Sequence, residues 1–269
     1  MSNILEIFSY SFMIKALIVG VLISLCASLI GVSTVLRRNS MIGDGLSHVA
    51  FMTFAVATLL HFSPIYFSIP IVIIVSFLIL RLNSSNKIHG DSIIALASAS
   101  SLAIGTFLIS ISKGVNIDIN NYLFGSILGV DTLDVIISII LTVVVLFLYL
   151  VFYNKIFAIT FDETFSKSIG IKTNIYNALF AVLCSLVVVI GMRLMGSLLI
   201  SSLIIFPTLS SMQLFKKFKS VVIFSVIISI ISFILGLLLS FICSTPTGAT
   251  VVIVNLIVFI IFKIISMIE

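Results

Sequence analysis

Arg37-Arg38-Asn39-Ser40-Met41-Ile42-Gly43-Asp44-Gly45-Leu46-Ser47-His48-Val49-Ala50-Phe51 is the stretch that decides the fold of this chain. Two arginines lead into a segment that is apolar enough to lie in a membrane, and that segment carries an aspartate and a histidine. On an α-helix, side chains four residues apart project from the same face, so we expect Asp44 and His48 to point in one direction. An ionisable side chain inside a membrane segment is costly to bury and usually has a function.

The sequence on either side of this stretch is typical of an integral membrane protein with many spans. Of the 269 residues, 61% are hydrophobic and 9% are charged, whereas a soluble domain has about 25% charged residues. Residues 45–80 and 220–262 contain no Asp, Glu, Lys or Arg. Because a transmembrane helix needs about 20 apolar residues, each run holds two helices, with breaks at His61–Pro64 and Cys243–Gly248.

We therefore predict an all-α, polytopic membrane protein with eight or nine transmembrane helices in one domain, residues 1–269. Between the fourth and fifth segments, Tyr122–Val130 is too short to span and is predicted to form a short or re-entrant helix. The chain crosses the membrane nine times if every predicted segment spans it. It crosses eight times if one short segment that is interrupted by Pro or Gly does not span. The predicted segments cover 11–36, 42–60, 65–81, 92–112, 135–153, 173–192, 194–213 and two pieces of 220–262.

The basic residues predict which side of the membrane each loop occupies. If the loop 154–172 is in the cytoplasm and the chain crosses nine times, three basic residues fall on the outer side: Lys15, Lys113 and Arg193. Cytoplasmic loops carry the excess of Lys and Arg, so the N-terminus is predicted outside and the C-terminus inside. This scattered pattern indicates topology rather than binding of nucleic acid. The eleven inner cations are Arg37, Arg38, Arg81, Lys87, Lys155, Lys167, Lys172, Lys216, Lys217, Lys219 and Lys263.

Asp44 and His48 are candidate ligands for a borderline divalent cation such as Zn²⁺ or Mn²⁺. Two ligands per chain are too few for zinc, which usually takes four, so a symmetric homodimer would bring both pairs to one axis. The flanking glycines, Gly43 and Gly45, indicate irregular backbone of the kind that lines a cavity at membrane depth. The alternative is an Asp–His hydrogen bond that serves only to stabilise the helix end.

Other charged residues have candidate roles outside this pair. Asp91 is predicted to complement the dipole at the start of segment four, and Arg193 is predicted to cap a turn. Asp118, Asp131 and Asp134 form either an acidic funnel for cations or a solvated loop face.

The loop at 154–172 carries an amphipathic pattern. Phe161, Phe165 and Ile169 recur every four residues with polar residues between them, which predicts a short helix that ends near Gly170. The sequence has no P-loop motif for nucleotide hydrolysis and no motif of a membrane enzyme. A single intramembrane carboxylate is too few for a proton-coupled carrier. Energy for uphill transport would come from another subunit, and this helix is a candidate docking element.

Several motifs follow one another along the chain: Arg37–His48, Asp91, Asp118–Leu128, Phe161-Asp162 with Gly170, Gly196–Pro207 and Thr245–Ala249. In series, these motifs resemble the permease subunits of the bacterial zinc/manganese ABC importers, the ABC-3 metal permease family. The resemblance covers about residues 15 to 262, and one departure is Ser244, where family members often carry an aspartate.

The resemblance implies a type II ABC-importer-like permease in the bacterial cell membrane. It implies a homodimer with two cytoplasmic ATPase subunits and an extracytoplasmic metal-binding protein, and contacts with membrane lipid but not nucleic acid. It implies that Asp44 and His48 contact the transported ion, Zn²⁺ before Mn²⁺, without a permanently bound cofactor. The alternatives are a permease for iron chelates or a cobalamin-like cofactor, or a polytopic membrane enzyme or scaffold. The implied coupling helix, about 157–171, includes Phe161, Asp162, Glu163, Phe165 and Gly170.

Overall fold

The structure is a computed structural model that describes residues 11–83, 90–111, 125 and 129–268. Throughout these ranges the regular elements are helices, which confirms the all-α prediction. The helices are α1 Ser11–Leu36, α2 Ile42–Leu59, α3 Pro64–Asn83, α4 Gly90–Ile111, α5 Thr132–Val151, α6 Tyr153–Phe161, α7 Glu163–Ser168, α8 Thr173–Met195, α9 Ser197–Leu214, α10 Phe218–Cys243 and α11 Thr247–Ile268.

In the described part of the chain, nine helices are long and apolar enough to cross a membrane: α1 to α5 and α8 to α11. This count matches the larger of the two predicted numbers. The short helices α6 and α7 lie between α5 and α8, where the sequence predicts an amphipathic loop. Most of the predicted short helix Tyr122–Val130, and also Asp118, lie outside the described residues.

Four helices form the centre of the bundle. Most of α1, α2, α8 and α9 is buried, whereas less than a quarter of α3, α4 and α11 is buried, which places these three helices at the periphery. Small residues allow the central helices to approach closely. The ring of Phe233 on α10 packs directly against Gly20 of α1, and the backbone carbonyl of Ile204 on α9 packs against Gly31 of α1.

Buried hydroxyl groups are a second feature of the centre. The Ser229 hydroxyl donates to the Ser24 carbonyl at 2.9 Å and so joins α10 to α1. Thr208 and Ser225 share a hydrogen bond of 3.2 Å between α9 and α10. On α9, the Ser201 hydroxyl donates to a carbonyl of its own helix. These contacts agree with the packing role that small polar residues have in membrane helices.

The alternation of nine spans places the α1–α2, α3–α4 and α9–α10 connections on the same side as α6 and α7. The excess of Lys and Arg assigns that side to the cytoplasm. The start of α2, which carries Asp44 and His48, therefore follows a cytoplasmic turn, and the segment α6–α7 lies on the same side of the bundle.

Candidate metal site and coupling segment

Asp44 and His48 lie on one face of α2, as the sequence predicts. Asp44 is in the first turn of α2, where the helix dipole favours a negative charge. His48 Nε2 lies 3.6 Å from Asp44 Oδ1, and the two side chains are 14% and 32% exposed, respectively. The two side chains are therefore adjacent, at an ion-pair distance slightly longer than an ordinary hydrogen bond.

The backbone around Asp44 is regular helix, so the prediction of irregular backbone at the glycines is wrong. A Cβ added to Gly43 would lie 2.7 Å from Ile204 Cδ1 of α9, and one added to Gly45 would lie 2.6 Å from Ile94 Cγ2 of α4. The glycines therefore serve close packing of α2 against two neighbouring helices. Since successive helical residues are about 100° apart, Asp44 faces the gap between α9 and α4.

The Gly43 contact also fixes the depth of the site. Ile204 is the eighth of the 18 residues of α9, a predicted spanning helix. The first turn of α2 thus lies level with the middle of α9 rather than with its cytoplasmic end. The carboxylate of Asp44 accordingly lies among helices apolar enough to span a membrane, a setting in which an ionisable group usually has a function.

The remaining surface of α2 is almost fully buried. Apart from Thr58 and Leu59 at its C-terminal end, the partly exposed residues of α2 are Asp44, His48, Met52 and Val56, a stripe with a spacing of four residues along one helix face. The ring nitrogen Nδ1 of His48 is buried and has no hydrogen-bond partner among the described residues. A neutral imidazole nitrogen with a free lone pair is a common metal ligand.

In the described part of one chain, no third ligand of this kind joins Asp44 and His48. Among the described residues, no group of three or more His, Cys, Asp or Glu side chains is arranged to hold a metal ion. The pair supplies half of the four ligands that zinc usually takes.

The two outer acidic residues that the structure describes differ from each other: Asp131 is exposed, as a solvated loop face predicts, whereas Asp134 is buried. Asp131 and Asp134 form a capping box at the start of α5, and Asp134 is only 4% exposed. Arg193 Nη1 at the end of α8 lies 3.0 Å from Asp134 Oδ1. The prediction of a funnel or a solvated face is therefore wrong for Asp134, and Arg193 forms an ion pair between helices rather than only capping a turn. Asp91 lies in the first turn of α4, as predicted.

The amphipathic segment is two helices rather than the single predicted helix over 157–171. Helix α6 ends at Phe161, and Asp162 is extended, with φ −150° and ψ 100°. The Asp162 carboxylate accepts a hydrogen bond of 2.8 Å from the Phe165 N–H, which caps α7. Aspartate favours such capping because its side chain replaces the missing backbone acceptor. Within α7, Glu163 and Lys167 form an ion pair of 2.7 Å.

Gly170 ends this segment, as predicted. Its φ is 85°, a conformation that glycine adopts without the cost borne by other residues. The Gly170 N–H donates to the Lys167 carbonyl, and the Ile171 N–H donates to the Ser166 carbonyl. This pair of hydrogen bonds is the Schellman motif, which closes the C-terminus of α7.

The same segment exposes an apolar stripe on the cytoplasmic side. Phe161, Phe165 and Ile169 are 60%, 59% and 55% exposed, whereas Ile156 and Ile159 are buried in the bundle. Large apolar side chains grouped in this way mark an interaction surface. Phe161, Phe165 and Ile169 are called the apolar stripe below.

Comparison with known proteins assigns the family. Residues 9–266 match the ABC 3 transport family. The chain belongs to this family. It is a multi-span membrane permease of the plasma membrane, and the predicted resemblance is confirmed.

Two relatives and one solved structure match almost the whole chain. The manganese import system permease protein ScaB of Streptococcus gordonii is 28% identical over 94% of this chain and 90% of its own length. The high-affinity zinc uptake system membrane protein ZnuB of Haemophilus influenzae is 27% identical over 93% of this chain and 96% of its own. The structure of PsaBC from Streptococcus pneumoniae in complex with Fab has a TM-score of 0.84 and 27% identity, covering 96% of this chain and 95% of that one.

One further residue, Arg37, connects the start of α2 to the segment α6–α7. The sequence analysis used Arg37 as a topology marker and as part of a family motif, and did not predict this contact. Arg37, in the turn between α1 and α2, donates from Nη1 to Asn177 Oδ1 of α8 at 2.9 Å. Its Nε donates to Thr160 Oγ1 of α6 at 3.4 Å, and its guanidinium lies 5.0 Å from the centre of the Phe180 ring. The sequence shows that Arg37 lies seven residues before Asp44. It does not show which residues Arg37 contacts, because Thr160 and Asn177 are more than 100 residues away along the chain.

Proposed function

We propose that this chain is the membrane-spanning subunit of an ATP-driven importer for divalent metal cations, with Zn²⁺ the first candidate and Mn²⁺ the second. Residues 1–269 would form one permease domain, and two copies would enclose the translocation pathway. The observation that carries the proposal is the Asp44–His48 pair, which lies on the partly exposed stripe of an otherwise largely buried helix.

The donor atoms support a borderline divalent cation. A carboxylate oxygen and an imidazole nitrogen suit zinc and manganese, and a given site of this type binds zinc more tightly. ScaB is named for manganese and ZnuB for zinc, and their identities to this chain differ by only one percentage point. Sequence identity therefore does not choose the metal, and the preference for zinc rests on ligand chemistry.

The geometry supports a homodimer. Asp44 faces the gap between α4 and α9 because its two glycine neighbours face those helices. A second copy across that gap would contribute its own Asp44 and His48. The four ligands would then match the usual coordination number of zinc.

The cytoplasmic segment supports an ATPase partner. The sequence has no P-loop, and the apolar stripe is exposed on the side assigned to the cytoplasm. We assign α6 and α7 as the coupling element. In this assignment Phe161 and Phe165 dock into the ATPase. Asp162 and Gly170 fix the two ends of α7, and Lys167 holds Glu163 by an ion pair. A metal-binding protein outside the membrane would deliver the ion.

The test is ATP-dependent uptake of radioactive Zn²⁺ and Mn²⁺ into vesicles that contain the permease, its ATPase and its binding protein. Asp44→Asn and His48→Ala each remove one ligand, and we expect at least a tenfold loss of uptake, since one ligand contributes more than about 1.4 kcal/mol. Asp91→Asn makes the same chemical change in the first turn of α4 and should leave uptake unchanged.

Co-purification of the ATPase distinguishes a lost ion site from a lost complex. The two variants should retain the ATPase at the level of the unchanged protein. Normal uptake by both Asp44→Asn and His48→Ala would refute the assignment of the ion site. Uptake of a ferric chelate instead of free Zn²⁺ or Mn²⁺ would favour the iron-chelate alternative.

A further inference from the structure

Two adjoining cavities lie on the cytoplasmic side of the bundle, away from Asp44 and His48. Their volumes are about 290 and 300 Å³, and both are lined by Leu80, Glu163 and Asn177. The first is also lined by Phe77, Arg81 and Asn174. The second is also lined by Leu36, Arg37, Arg38, Asn39, Ile159, Thr160 and Phe161.

The charge of these cavities is positive. Arg37, Arg38 and Arg81 line them, and the one acidic side chain in their described lining is Glu163. Glu163 already forms an ion pair of 2.7 Å with Lys167. A cleft lined by charges of one sign concentrates ions of the opposite sign, so these walls favour an anion.

Arg37 is the residue that most clearly indicates a ligand. It is partly buried, and burial lowers its pKa, although a guanidinium remains charged at neutral pH. Its hydrogen bonds go to the neutral side chains of Asn177 and Thr160. The charge of Glu163 partly offsets the effect of burial on Arg37, but in the part of the chain that the structure describes no carboxylate lies within ion-pair distance of the guanidinium. Charges withdrawn from water are normally paired, and a guanidinium binds phosphate oxygens in bidentate geometry.

The apolar part of the lining distinguishes a lipid from a small soluble anion. Phe77 and Leu80 are on α3, a peripheral helix whose neighbouring side chains Leu78 and Leu82 are exposed. An acyl chain could follow this apolar surface while its headgroup enters the basic cavity. Basic pockets between transmembrane helices on the cytoplasmic side are typical sites for anionic headgroups.

We propose that these cavities bind the phosphate group of an anionic phospholipid from the cytoplasmic leaflet, with Arg37 at the inner wall and Arg38 and Arg81 around it. This site is separate from the proposed ion pathway, and its existence does not depend on which metal is transported.

The experiment measures lipid retention by the permease purified together with its ATPase and reconstituted in nanodiscs. The nanodiscs contain phosphatidylcholine with increasing phosphatidylglycerol, and native mass spectrometry counts the phosphatidylglycerol molecules bound per permease. Arg37→Gln should weaken retention roughly tenfold, the effect of about one lost charge-assisted interaction. Arg81→Gln should also weaken retention of phosphatidylglycerol. Because Arg81 is exposed, this variant tests the site without changing a partly buried residue.

Lys219→Gln is the matched control, because it removes one positive charge from an exposed residue on the same side. An equal loss of phosphatidylglycerol in Lys219→Gln would overturn the proposal, since the effect would then be general surface charge. So would equal retention of phosphatidylcholine and phosphatidylglycerol by the unchanged complex. A parallel titration with inorganic phosphate in phosphatidylcholine nanodiscs identifies the source of the phosphate: binding there without phosphatidylglycerol retention would overturn the lipid assignment.

Discussion

Substitution of Gly31 by alanine tests whether the contact between α1 and α9 positions the candidate ion site. A Cβ on Gly31 would overlap the backbone carbonyl oxygen of Ile204 and would lie 3.1 Å from Thr208 Oγ1. A backbone atom in a helix cannot rotate away, so the two helices must separate. The side chain of Ile204 also packs on Gly43, the neighbour of Asp44. The movement would therefore reach the first turn of α2.

The cost follows from two opposing effects. Overpacking a close contact costs about 1–3 kcal/mol, and replacing a helical glycine by alanine returns about 0.5–1 kcal/mol. Because the added Cβ meets a backbone atom, the overpacking cost belongs in the upper part of that range, about 2–3 kcal/mol, and we expect a net loss of about 1–2.5 kcal/mol. At roughly 2–4 °C per kcal/mol for a protein of this size, the unfolding midpoint of Gly31→Ala should fall by roughly 2–10 °C, and metal uptake should fall although neither proposed ligand is changed.

The measurement is thermal unfolding of the purified permease in one detergent, with uptake in vesicles measured in parallel. Gly129→Ala is the control, because among the described residues beyond its chain neighbours no atom lies within 4 Å of its added Cβ. Gly43→Ala should cost less than Gly31→Ala, since its added Cβ meets the flexible end of Ile204 at 2.7 Å. If Gly31→Ala unfolds at the same temperature as Gly129→Ala and transports normally, the proposed close contact does not position α2.

Two further predictions concern the ends of helices. Asp162→Ala removes the cap of α7, which should cost about 1 kcal/mol and reduce co-purification of the ATPase. Asp162→Asn keeps the side-chain acceptor that caps α7 and should retain the ATPase normally. An equal loss of co-purified ATPase in both variants would indicate that the charge of Asp162, not the cap, is required. Asp134→Asn removes the charge that Arg193 faces at 3.0 Å. Because Arg193 is itself 42% exposed, the unfolding free energy should fall by only about 1 kcal/mol. Arg193→Gln combined with Asp134→Asn should then cost less than the sum of the single changes, and additive losses would argue against the ion pair.

Much of the fold follows from local features of the sequence. Runs of apolar residues without charges require spanning helices, and the breaks at His61–Pro64 and Cys243–Gly248 separate them. The common face of Asp44 and His48 follows from helical periodicity alone. The left-handed Gly170 likewise closes the segment at the predicted place because few other residues adopt that conformation without cost.

The rest depends on contacts between segments far apart in the chain. The partner of Asp134 is 59 residues away, and that of Arg37 is 140 residues away, so neither pair is visible as a sequence pattern. Gly43 shows a different limit. A glycine beside a functional residue is compatible with either irregular backbone or close helix packing, and only the position of Ile204 on α9 distinguishes these possibilities.

Arg37 gives the proposed ion site and the proposed docking surface a common structural support. Energetic coupling between two sites requires contiguous contacts with elements that move as units. Thr160 lies beside Phe161 at the end of α6, and it accepts a hydrogen bond from Arg37. The turn that contains Arg37 leads directly into α2, whose first turn holds Asp44. Under the proposed function, a displacement of the apolar stripe by an ATPase would pass through this hydrogen bond to the start of α2. A phosphate bound at Arg37 would act on the same connection, because the cavities include Thr160 and Glu163 in their walls.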